Sequence, residues 1–117
     1  MTSINELYMQ TILNSGNTIQ TNLSTPKKGY MVACNSNQPF LIPKKGLTKF
    51  QFKKIVKKLT QNKNNNVCAG FWLNPEDKMW YIENSEKITN KKDALRIGKD
   101  RNQIAIFNLA NFETINC

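Results

Sequence analysis

Three groups of residues have the chemistry to hold a nucleotide: the loop Pro26-Lys27-Lys28-Gly29-Tyr30, the aromatic pairs Phe71/Trp72 and Trp80/Tyr81, and the segment from Arg96 to Gln103. Phosphates need cations and amide donors, which Lys27, Lys28, Arg96 and Arg101 supply; a base needs a flat apolar platform, which the aromatics supply. Asn84, Asn102 and Gln103 carry donors and acceptors for a base edge or ribose hydroxyls. The candidate ligand-binding set is therefore Lys28, Trp72, Trp80, Asn84, Arg96, Arg101 and Asn102. Plainer roles compete with it. Neighbours on a strand point to opposite faces, so one aromatic of each pair belongs to the core, and sequence does not say which. Arg96 and Arg101 have Glu83, Glu86 and Asp100 as alternative surface partners.

Catalysis has little to work with. The chain of 117 residues contains no His, so imidazole bases and His-ligated metals are excluded. Cys34, Cys68 and Cys117 are widely spaced, without a C-x-x-C pair. We expect no catalytic residue, no metal and no cofactor, and Cys34 and Cys68 as small buried hydrophobes. The net charge is +9, and the stretch from Leu7 to Pro75 holds ten lysines and no acid. Such a block attracts polyanions, although AT-rich coding and solubility also favour lysine. Only two of the 17 basic residues are arginine, which argues against base-edge reading in duplex DNA.

The elements that must position these groups are well punctuated. Ser3 and Glu6 form a capping box for a helix near residues 4 to 14, ended by Asn14-Ser15-Gly16. Thr18 to Leu23 alternates weakly as a strand, residues 24 to 29 read as a loop, and Tyr30 to Cys34 as a central strand. Asn35-Ser36-Asn37 has turn composition before Phe40 to Ile42, so a hairpin is expected there. Thr48 and Gln51 cap a second helix whose Phe52, Ile55, Val56 and Leu59 form an apolar face, with Leu47 as a staple and Lys53, Lys54, Lys57 and Lys58 opposite. After the polar linker Asn62 to Asn66, Val67 to Leu73 and Met79 to Ile82 flank turn residues 74 to 77 as another hairpin. Asn90 caps a third helix containing Asp93, Ala94, Leu95 and Gly98, the glycine suiting a close packing contact, and Gln103 to Leu109 is the final strand. The order α-β-β-β-α-β-β-α-β predicts a single α+β domain, with about three helices on a largely antiparallel sheet.

The C-terminal half also carries a resemblance. Gly70-Phe71-Trp72-Leu73, Trp80-Tyr81-Ile82-Glu83-Asn84-Ser85, Asp93-Ala94-Leu95 and Arg101 to Leu109, preceded by Gly29-Tyr30-Met31-Val32, resemble a family of small phage accessory proteins. Two departures fall at Asn84, where the acid of the strand motif is out of register, and at Asn108, which replaces an acid. Within that group the sequence looks like the Thoeris anti-defence sponges, which sequester cyclic ADP-ribose signals without cleaving them. The resemblance implies a homo-oligomer, dimer or larger, in the host cytoplasm, with a small cyclic nucleotide as partner and cyclic oligonucleotides as further ligands. It implies interface pockets in which Arg96, Arg101 and Lys28 hold a diphosphate, Trp72 or Trp80 stacks on adenine, and Asn84 or Asn102 contacts base or ribose.

Other classes stay in view. The lysine face of the second helix suits a non-specific nucleic-acid binder, and a protein-binding inhibitor of a host nuclease is a further alternative; nucleotide turnover is the weakest. No apolar run approaches the roughly 20 residues of a membrane span, and the N-terminus lacks the pattern of a signal peptide, so neither a membrane partner nor export is expected.

Overall fold

The computed structural model describes residues 3–34, 40–61, 64, 66–111 and 113–117. Among the described residues three α-helices start where side chains satisfy the free amides of a first turn. Helix α1 (Ile4–Asn14) opens with the Glu6 N–H donating to Ser3 Oγ at 3.2 Å. Helix α2 (Lys49–Thr60) opens with the Gln51 N–H donating to Thr48 Oγ1 at 3.2 Å. In α3 (Lys91–Asp100) the Lys92 and Asp93 amides both donate to Asn90 Oδ1.

Among the described residues seven strands follow in order: β1 (Gly16–Gln20), β2 (Tyr30–Ala33), β3 (Phe40–Pro43), β4 (Val67–Leu73), β5 (Met79–Ile88), β6 (Ala105–Asn108) and β7 (Glu113–Asn116). They form one antiparallel sheet in the order β1-β4-β5-β2-β6-β7, with β3 also on β5. The expected α+β class and the β4–β5 hairpin are present.

The expected hairpin between the second and third strands is not. Strands β2 and β3 lie end to end on one edge of β5, pairing with Ser85–Ile88 and Met79–Ile82 respectively. The turn residues 35 to 37, like Asn62, Lys63 and Asn65 of the polar linker, lie outside the described residues. This arrangement needs a long β5. It continues six residues past Ile82 through Glu83-Asn84-Ser85-Glu86, a polar run without the alternation that reveals a strand. The weak strand after α1 begins earlier, at Gly16, and ends at Gln20, with Leu23 in a left-handed turn. Strand β7, absent from the sequence reading, is a short edge strand with one half-buried apolar residue, Ile115.

All three helices cover the same face. Leu7 of α1 and Phe52, Val56 and Leu59 of α2 pack with Ile19, Ile42, Ala69, Phe71, Trp80 and Ile82. Ala94 of α3 packs with Val32 and Ile106 further along that face. Gly98 permits this approach: a Cβ there would lie 3.1 Å from Ile106 Cγ2 and 2.8 Å from Cys117 Sγ. On the opposite face Met31, Cys68 and Leu109 form a small cluster with Phe107, and burial pushes the Cys68 thiol up to about 11. The Cys34 thiol is also raised by burial.

Candidate functional site

Register separates the residues singled out from the sequence. In an antiparallel ladder directly opposed residues share a face. Trp80 opposes Leu73 and Ile42 and sits in the helix-covered core at 1% exposure, its indole N–H without an acceptor among the described residues. It cannot stack on a ligand, which corrects that assignment. Trp72 opposes Tyr81 on the helix-free face, 53% exposed, with ring centroids 5.5 Å apart.

The arginines are also parted. Arg101 follows α3 and turns to the helix-covered face, where its Nη2 meets Glu86 Oε1 at 2.5 Å and its Nη1 donates to the Ala33 carbonyl at 3.3 Å. Asn64 also donates to Glu86, at 3.4 Å. Arg96, five residues earlier, projects from the far side of α3, between Asp93 at 3.9 Å and Asp100 at 4.0 Å on its own helix. Five residues turn a helix by about 140°, so the two guanidinium groups cannot clamp one diphosphate within a single copy.

Asn102 has a structural duty. At φ 58 it ends α3 in the left-handed region, its N–H donating to Lys99 and the next amide, Gln103, to Gly98 at 2.9 Å. This is a Schellman ending, and Asn tolerates that backbone better than most residues. Asn84 opposes Ala69 on the helix-covered face, exposed, its carbonyl accepting from Cys34 N–H at 3.0 Å. Lys28 is exposed in the loop before β2.

The helix-free face supplies an arrangement that the sequence reading missed. Trp72 and Tyr81 form a platform; Leu41 opposes Tyr81 and is itself exposed. Glu83, exposed on the same face, opposes Gly70, which has no side chain, and partial desolvation raises its pKa. Tyr81 donates to Asp77, and that bond raises the phenol's pKa and fixes the ring. At the rim the Lys44 N–H donates to the Lys78 carbonyl at 3.2 Å, bringing Lys44, Lys45 and Lys78 to one end of the sheet. That rim adjoins Met79, the first residue of β5, two residues before Tyr81. Stacking and a carboxylate that accepts from a base amino group are thus available on the helix-free face, with three lysines at one end of the sheet. Register alone could have found Glu83, once Trp72 was known to face outward.

Among the described residues no group of three His, Cys, Asp or Glu side chains is placed to hold a metal, and no helix is long and apolar enough to cross a membrane. No protein-family profile, curated protein or solved structure matches the chain.

Proposed function

We propose that this is a phage accessory protein that binds a nucleotide signal and holds it intact, with the helix-free face as its binding surface. The observation that carries the reading is the half-exposed Trp72 braced by Tyr81 on a sheet face that no helix of the described residues covers. A buried aromatic would need no further explanation; a braced, outward one offers a base a ready platform. Glu83 accepts from the base amino group, and Lys44, Lys45 and Lys78 receive the phosphates. The resemblance supplies the ligand class, a cyclic ADP-ribose isomer or a cyclic oligonucleotide, and sequestration as the outcome. No bond of the ligand is broken, so no general acid or base is assigned.

A homo-oligomer fits the same reading. Trp72 and Asn84 lie on opposite faces, so only two copies can bring both residues to one ligand. The test is calorimetric titration with cyclic ADP-ribose isomers and cyclic di- and trinucleotides, followed by heat release and chromatography of the ligand. Saturable binding with intact ligand recovered is expected, and Trp72→Ala should weaken it by about 5-fold to 150-fold, the worth of one stacked base. Affinity unchanged in that variant, or no binding to any of these ligands, refutes the reading.

A further inference from the structure

Helix α2 presents a second surface, remote in kind from the aromatic platform. At about 100° per residue, Lys49, Lys53, Lys54, Lys57 and Lys58 spread over about half the helix circumference, and the buried Phe52, Val56 and Leu59 occupy the other side. In the middle of the basic arc stands Phe50, 69% exposed, with Lys54 Nζ 5.7 Å from its ring centroid. None of the five lysines has an ion-pair partner among the described residues. The absence of acids from Leu7 to Pro75 leaves no near-sequence partner for them either. Lys54, Lys57 and Lys58, with Gln51, Ile55 and Gln61, line a shallow depression on the helix.

We propose that this face of α2 binds single-stranded nucleic acid without sequence preference, a role independent of the nucleotide reading above. The lysines give the phosphate contacts, one helical turn apart along each side of the arc. Lysine is a point charge without the planar fork that reads base edges, so recognition is of the backbone. Phe50 decides between strands. An exposed ring among cations stacks on an unpaired base, whereas duplex DNA hides its base faces and offers Phe50 nothing. An acidic protein would satisfy the charges but leave the central ring without a role.

The experiment is fluorescence anisotropy of the full chain with an end-labelled mixed-sequence oligonucleotide, single-stranded or duplexed. With all five lysines engaged, log K falls against log salt with a slope of about −3.5, roughly a 100-fold loss between about 50 and 200 mM. Replacing Lys53 and Lys57 by Gln should reduce the slope by about 1.4. Phe50→Ala should weaken single-strand binding by about 5-fold or more at unchanged slope. Because these side chains are exposed, circular dichroism melting of the variants should match wild type. Trp72→Ala should bind the oligonucleotide as wild type does, separating this surface from the nucleotide site. No binding at the lowest salt, equal affinity for duplex with no effect of Phe50→Ala, or loss in Trp72→Ala matching that in Phe50→Ala overturns the proposal.

Discussion

Replacing Arg101 by Met distinguishes a structural arginine from a ligand anchor. Arg101 joins the end of α3 to the sheet by an ion pair of 2.5 Å with Glu86 and a hydrogen bond of 3.3 Å to the Ala33 carbonyl. The paired side chains are 28% and 20% exposed, which places them between surface pairs and buried pairs. A charge-assisted hydrogen bond contributes about 1.5–3 kcal/mol, and we take the lower end because solvent screens this pair. The bond to Ala33 adds about 1 kcal/mol. Methionine keeps the apolar stem, so packing losses are small. The total is about 2–3 kcal/mol. For a chain of this length about 1 kcal/mol moves Tm by about 4 °C, giving a fall of about 8–12 °C in a thermal melt. Glu86→Gln should cost a similar amount, and the double variant less than the sum, with a coupling of about 1–2 kcal/mol. Nucleotide affinity in a single copy should hold, since Arg101 is on the face away from Trp72. A melt within about 1 °C of wild type, coupled with collapse of nucleotide binding, would show that Arg101 serves the ligand and that its bond to Glu86 contributes little.

Three further outcomes follow from the packing. Gly98→Ala should destabilise by about 1 kcal/mol in a denaturant titration: overpacking against Ile106 Cγ2 outweighs the gain in helix propensity, and adding Cys117→Ala should recover part of the loss. Cys68, raised to about 11 from 9.0, favours its protonated form when folded. Stability should therefore fall as pH climbs from about 9 to about 11, where the unfolded thiol ionises first; Cys68→Ala should flatten that limb, and iodoacetamide should label Cys68 only after unfolding. Glu83 also has a carboxyl pKa raised by desolvation, so the unfolded state sheds its proton first and stability declines as pH rises above about 4.5. Because the carboxylate is exposed, solvent keeps that decline small, and Glu83→Gln should flatten it in urea titrations from about pH 4 to 7.

The local signals in the sequence were reliable because each depends on a few neighbouring residues. Ser3, Thr48 and Asn90 cap the three helices as their side chains dictate. Phe52, Val56 and Leu59 bury the face that their spacing implies. Gly98 sits where α3 packs against Ile106 and Val32 with no room for a Cβ. What was not legible depends on partners far along the chain. The second half of β5 is polar, and it is a strand because β2 and β4 bond to its two edges. The end-to-end placement of β2 and β3 on one edge follows from the length of β5, which its composition conceals.

The candidate residues are parted for a related reason: residue type marks them in the sequence, whereas a sheet sorts side chains by parity. Trp72 and Trp80 oppose Tyr81 and Leu73, neighbouring rungs of the same hairpin, and a single step of register sends one indole to solvent and the other to the core. Shifting β4 by one residue would reverse every side chain on it, exposing Phe71 and burying Trp72. The packing of Phe52 on Phe71, with ring centroids 5.0 Å apart, holds that register from the helix side. The same contact that closes the core thus fixes the outward position of Trp72. Enlarging or truncating Phe71 should consequently disturb ligand affinity as well as stability, although it lies on the opposite face from the platform.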